Sequence, residues 1–374
     1  MADNVGAPVA VFATTTGNKP HVVNKAAFPN ELPFRANLFR KTRRMLQLYF
    51  RPHPSGDDNP RARRSQYTYQ ELGQHKKEDF EASLPGLEIV NHDLKYLSKD
   101  GTPLVVFLKG GLNILFEYTQ EELADNPNLA PADLPARGMK AFKELTTVYP
   151  PLPPKDSGVR HTANAETEGV GTGYYHLALW QTKGHDHKEK DNIRLTPARC
   201  AVLSKDCFPN ANGIKTISNA ACITTFYQRL APITQAVGAL FELVDIINYK
   251  SYRKRYLELF KHTPLSQFNF SQYRCFVGNA CLVGLQRLLH RDARDSDDGW
   301  VADLAFGDFD GGYLQLPQLG CQKKLQPGDL LFMRSKCLIH GVSSVPKGLR
   351  YSMVYFSHEG MLAPTVKDQF AVDE

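Results

Sequence analysis

His290-Arg291-Asp292 places an imidazole and a carboxylate two residues apart. On an extended backbone, residues i and i+2 project to the same side, so one strand edge can offer both to a single ion. A third ligand must come from elsewhere in the chain, and His340 closes the strand-like segment Cys337-Leu338-Ile339-His340. Two imidazoles and one carboxylate on one face of a metal leave positions open for a cosubstrate and oxygen, the ligand set of non-haem Fe(II) oxygenation. Ten residues after His340 stands Arg350, followed at one remove by Ser352. A guanidinium at a strand start can grip the far carboxylate of 2-oxoglutarate through two parallel hydrogen bonds, and a hydroxyl can add another.

These residues need strands to hold them. Arg350, Ser352, Val354, Phe356 and His358 alternate and share one face of a strand. An inward face bearing Arg and His is costly unless those groups have partners, so this strand is expected to line a site. Tyr351, Met353 and Tyr355 then face outward, against helices. Short strands are expected at Cys275 to Val277, Val301 to Phe309, Tyr313 to Leu316, Leu330 to Met333 and Tyr351 to Phe356. Gly311-Gly312, Pro327-Gly328-Asp329 and Pro346-Lys347-Gly348 supply the turns between them. Upstream, Lys99-Asp100-Gly101-Thr102 joins Tyr96-Leu97-Ser98 to Leu104 to Leu108 as a hairpin. Apolar residues at Ile233, Val237, Leu240, Phe241, Val244 and Ile247 predict one face of a helix that starts at Pro232. The fold class expected is α+β, a double-stranded β-helix (jelly roll) core over about residues 265–361, buttressed by helices.

The 374 residues, 42% hydrophobic and 22% charged, exclude a largely disordered chain. No apolar run is long enough for a membrane span. The N-terminal stretch lacks the layout of a secretory signal, so an intracellular, soluble protein is expected. Seven cysteines without a C-x-x-C pair argue against a disulfide framework and a zinc ribbon. Cys200 and Cys207 read as core thiols, and His185-Asp186-His187, set among lysines, reads as a solvated loop. The net charge of +6 is concentrated: nine basic residues between Arg35 and Arg64 stand against Asp57 and Asp58. Such a stripe suits a polyanion or serves as a solvated arm. Residues 1–64 are therefore taken as a basic N-terminal arm and 65–374 as the main domain.

The stretch His290 to Gly360, with HRDARD, GDFDGGYLQLP, QPGDLLF, IHG and LRYSMVYFSHEG, resembles the TET/JBP family of nucleic-acid-modifying dioxygenases. Nothing in the sequence corresponds to the cysteine-rich region of vertebrate-type members, so it looks more like the compact fungal and protist ones. The resemblance implies oxidation of the methyl group of 5-methylcytosine in DNA, with Fe(II), 2-oxoglutarate and O2. It implies that His290, Asp292 and His340 bind the iron and that Arg350, with Ser352, binds 2-oxoglutarate. It further implies that Asp295 reads the exocyclic amino group of a flipped base, Phe356 stacks on it, His358 contacts its polar edge and Val354 walls the methyl group. Asn210 and Asn212 are candidates for one more base contact. Methylated DNA is the expected partner and the nucleus the expected place of action. N6-methyladenine suits Asp295 as well as cytosine does and is the alternative substrate; a non-catalytic reader of modified DNA is the third reading.

Overall fold

The computed structural model describes residues 62–114, 124, 133–151, 161–163, 172–181, 193–195, 219–262 and 274–362. The basic stretch as far as residue 61, His185-Asp186-His187, Cys200, Cys207, Asn210 and Asn212 lie outside them.

In chain order the first strands are β1 (Ala62–Arg64), β2 (Glu88–Ile89), β3 (Leu94–Leu97), β4 (Pro103–Leu108), β5 (His161–Ala163), β6 (Gly173–Gln181) and β7 (Ile193–Leu195). They are followed by β8 (Gly278–Val283), β9 (Leu285–His290), β10 (Val301–Phe306), β11 (Phe309–Asp310) and β12 (Tyr313–Leu316). The last are β13 (Cys321–Lys324), β14 (Leu330–Met333), β15 (His340–Val342), β16 (Lys347–Gly348) and β17 (Tyr351–Phe356). Nine form one sheet in the order β1-β3-β4-β14-β10-β17-β8-β6-β7, and six form a second in the order β2-β13-β12-β15-β9-β5. From β8 onward the chain crosses between the sheets: β8, β10, β14 and β17 lie in the large one, β9, β12, β13 and β15 in the small one. That alternation is the double-stranded β-helix expected from the turn spacing.

The helices are α1 (Tyr69–Gln74), α2 (Gly111–Ile114), α3 (Leu134–Val148), α4 (Asn219–Val244), α5 (Ile246–His262) and α6 (Glu359–Leu362). No helix among the described residues is long and apolar enough to cross a membrane. Side-chain alternation divides the apolar residues of the large sheet between two cores. Tyr351, Met353 and Tyr355 join Phe142 of α3 and Phe226, Ile233 and Phe241 of α4 in the helix-facing core. Val354 and Phe356 belong to the core between the sheets, with Leu314, Leu331 and Val342. The two faces read from the last strand are therefore the two faces observed.

The hairpin is present as β3 and β4, closed by a Ser98 N–H donating to the Thr102 carbonyl at 2.8 Å. Three expectations are corrected. Cys275 to Val277 is not a strand: Cys275 and Phe276 are both buried, and the Val277 N–H donates to Ser357 Oγ instead of to a ladder partner. The run from Val301 to Phe309 divides into β10 and β11. The helix does not start at Pro232; α4 passes through it, forfeiting one backbone bond while Leu230 and Ile233 on either side stay buried. It stops at Val244 because Asp245 caps α5, its carboxylate accepting from the Asn248 N–H at 3.0 Å, and Ile247 is consequently exposed. Cys275, Cys281, Cys321 and Cys337 are buried free thiols.

Candidate active site

His290 is the last residue of β9 and His340 the first of β15, and the two are direct antiparallel partners. Their rings lie 4.3 Å apart, centroid to centroid. The pairing corrects the sequence expectation in two details. His340 opens its strand, since Leu338 closes a turn by donating to the Arg334 carbonyl. Asp292 stands beyond the end of β9, its N–H donating to the Ser335 carbonyl at 3.2 Å, so a loop and not the pleat brings it back beside His290.

Each histidine has its Nδ1 against a carbonyl two residues earlier: Leu288 for His290 at 2.7 Å, Leu338 for His340 at 3.0 Å. Those bonds turn both Nε2 atoms toward Asp292, at 3.7 Å for His290 and 3.5 Å for His340. Among the described residues, His290, Asp292 and His340 form a cluster whose ligand atoms all lie within 4.8 Å of one another. Burial, with His340 and Arg287 alongside, holds the His290 imidazole well below its usual pKa, so it is neutral and the close approach to Asp292 is not an ion pair. Burial pushes the Asp292 carboxyl up, but the His340 bond, Arg287 and the imidazoles together hold it well below the carboxylate range. A neutral imidazole at His290 and an ionised carboxylate at Asp292 are the states a divalent metal requires of them. The His290 Nε2 is buried without a hydrogen-bond partner, which a bound cation would satisfy. The donor set thus fits iron(II).

Two features here were not anticipated from the sequence. Arg287 and His290 are three residues apart, yet both face Asp292, with Arg287 Nη2 3.6 Å from its carboxylate. A β-bulge does this: His340 pairs with His290 but Val342 pairs with Arg287, so one strand spends three residues where the other spends two. Gly341 sits opposite the bulge, where an added Cβ would come within 2.9 Å of the Arg287 carbonyl oxygen. The IHG motif therefore needs its glycine for the approach of two backbones. The second feature is Asp303 on β10, a lone acid in an apolar run, 5% exposed.

Arg350 precedes β17 and is 2% exposed. Its Nη1 donates to Ser352 Oγ, while Nε and Nη2 have no partner. Gly312 in the turn before β12 has a φ of 63°, and a Cβ there would lie 2.8 Å from Arg350 Cδ. A guanidinium with two unpaired donors in the interior is an anion site in waiting. The residues present fit the carboxylate end of 2-oxoglutarate.

Val354 and Phe356 follow on β17, whereas His358, expected on the same strand, stands two residues beyond its end. The Phe356 ring lies 4.8 Å from that of His358 and 6.4 Å from that of His176 on β6. Asp295 is buried and forms an isolated bridge with His358. Its carboxylate accepts from Ser335 Oγ at 2.5 Å and from His358 Nδ1 at 3.2 Å. The side chain is thus bound across the site and does not cap the loop that follows it. Burial raises its pKa, opposed chiefly by the His358 bond. Around the rim, Lys336 Nζ bridges Asp297 at 2.8 Å and Glu359 at 2.9 Å, tying the loop after Asp295 to α6.

No family model matches the chain. A curated protein, Tet-like dioxygenase 1 of Naegleria gruberi, is 40% identical over 57 residues. The chain is similar to a TET-type dioxygenase. That match takes in 15% of this chain and spans only 18% of the relative's length. Among solved structures, NgTET1 in complex with 5mC DNA aligns over 88% of this chain and 92% of its own, at 15% identity and a TM-score of 0.45. A 2OG-Fe(II) oxygenase family oxidoreductase from Burkholderia pseudomallei aligns over 76% and 90%, at 13% identity and a TM-score of 0.28.

Proposed function

We propose that this chain is a 2-oxoglutarate- and Fe(II)-dependent DNA dioxygenase that oxidises the methyl group of 5-methylcytosine on a flipped base. The observation that carries the reading is the convergence of His290, Asp292 and His340, both Nε2 atoms turned toward the carboxylate; the two buried, unpaired donors of Arg350 add a second site of matching chemistry. The short match to a Tet-like dioxygenase supports it independently. Iron(II), when bound by these three residues, activates oxygen with 2-oxoglutarate as the source of electrons.

The chain's own residues do the rest. Arg350 and Ser352 orient the cosubstrate by its far carboxylate. A base inside a stacked duplex cannot reach a buried metal, so the methylated nucleotide is extruded into the pocket. Phe356 offers a stacking face, worth roughly 1–3 kcal/mol per base. Val354, two residues before it, borders the methyl group. Asp295 already accepts from Ser335 and His358, and each of its oxygens retains a lone pair for an exocyclic amino group. Thymine presents a carbonyl at that edge and is disfavoured. The basic stretch before β1 holds phosphates, and a DNA substrate puts the enzyme to work in the nucleus.

The test is mass spectrometry of nucleosides after incubating the protein, Fe(II) and 2-oxoglutarate with oligonucleotides carrying 5-methylcytosine, N6-methyladenine or thymine. Oxidised 5-methylcytosine, dependent on both cofactors, is expected. Turnover of N6-methyladenine alone would reassign the substrate, and no product from any oligonucleotide would overturn the reading.

A further inference from the structure

Strand β10 reads Val301-Ala302-Asp303-Leu304-Ala305-Phe306. Ala302, Leu304 and Phe306 pack in the helix-facing core, Val301 and Ala305 in the core between the sheets. Asp303 shares the second face and points into the space between the sheets. It lies directly across from Val354 on one side and Leu331 on the other, one pleat from the Ala305–Ser352 pair. Its Oδ1 is buried without a hydrogen bond, as are Nε and Nη2 of Arg350. The two groups feel each other: Arg350 is the largest influence opposing the upward shift that burial imposes on Asp303, and Asp303 the one opposing the downward shift on Arg350. His340 and Arg287, from β15 and β9, are the other charged or titratable groups acting on Asp303. Three buried polar atoms without protein partners are costly, and a hydrophobic residue at 303 would remove part of that cost. The arrangement makes sense when a ligand completes it.

We propose that Asp303 is a cosubstrate-contacting residue: in the loaded enzyme it carries a proton and donates it to the far carboxylate of 2-oxoglutarate, which Arg350 grips through its free donors. This rests on the cosubstrate reading above. One guanidinium and one neutral acid match a single negative charge, whereas an ionised Asp303 repels it. The proton comes from solvent as the ligand binds. The site thereby selects for a 2-oxo acid with a second carboxylate, since a monocarboxylic 2-oxo acid leaves all three polar atoms unpaired.

The test is calorimetric titration of 2-oxoglutarate into the full chain loaded with Mn(II), without DNA, from pH 6 to 9 in buffers of different ionisation heat. Mn(II) keeps the histidine and aspartate ligands deprotonated throughout, so they add nothing to the proton count. The wild type is expected to take up a proton and to lose up to tenfold in affinity per pH unit where only the loaded form keeps it. Asp303→Asn, with a permanent amide donor, should bind within a few-fold of the wild type's low-pH affinity, with no proton uptake and no pH dependence. Asp303→Leu should bind at least tenfold more weakly and yet melt at a higher temperature, an opposition that a merely structural carboxyl would not produce. Wild-type affinity in Asp303→Leu, or no proton linkage in the wild type, overturns the proposal while leaving the dioxygenase reading intact. A wild type that does not bind 2-oxoglutarate overturns both.

Discussion

Gly341→Ala tests whether strand pairing positions the two histidines. The added Cβ would meet the Arg287 carbonyl oxygen at 2.9 Å and Leu289 Cδ2 at 3.1 Å, where ordinary contact begins at 3.4 Å. The nearest atom is backbone in the bulge of β9, which cannot swing aside as a side chain can. β15 must therefore retreat from β9 by roughly 0.5 Å, the difference between those distances. Overpacking of this kind costs typically ~1–3 kcal/mol. The retreat moves His340 away from His290, its direct partner across the ladder, and misplacement of a reacting group by about 1 Å can cost on the order of a hundredfold in rate. Half that displacement predicts a loss of roughly tenfold, together with weaker metal binding. Thermal denaturation and Mn(II) titration, with and without 2-oxoglutarate, read the two effects. Gly73→Ala is the control: nothing lies within 4 Å of its Cβ, it sits in helix α1, and the change should stabilise slightly. If Gly341→Ala matches the wild type in melting temperature and in Mn(II) affinity, the close approach does not set the ligand geometry.

Three further outcomes are expected. Asp292→Ala should abolish turnover and Mn(II) binding while leaving the melting temperature near that of the wild type; retained metal binding would contradict the ligand assignment. Asp295→Ala leaves Ser335 and His358 without their shared acceptor, and losing a buried polar partner at ~1–3 kcal/mol predicts a ten- to hundredfold loss of turnover on methylated DNA with 2-oxoglutarate binding unchanged. Away from the site, burial pushes Lys323 down to about 7, its Nζ donating to the His92 carbonyl at 2.9 Å. The unfolded chain holds the lysine proton up to about pH 10, so the unfolded state binds more protons between pH 7 and 10 and stability should rise with pH across that window. Denaturant midpoints from pH 7 to 10 check this, and Lys323→Met should flatten the slope.

The residues proposed to carry the chemistry were legible because their types are restrictive and their spacing is short. Alternation from Arg350 to His358 assigned both faces of β17, since period 2 follows from the backbone alone. The hairpin at Lys99 to Thr102 and the β-helix punctuation were likewise local signals. Long-range placement was not. The position of Asp292 in a loop depends on a bond to Ser335, some forty residues away, which no local pattern contains. Arg287 reads as facing away from His290, and only the bulge opposite Gly341 brings them to one side. Pro232 looked like a helix start because propensity marks it so, yet burial on both sides carried α4 through it. Asp303 stood in plain sight as an acid among apolar residues, but the guanidinium it faces belongs to a segment nearly fifty residues on. The residue types were therefore written in the sequence, whereas the partners that give them their charge states and directions came from strand pairing across two sheets.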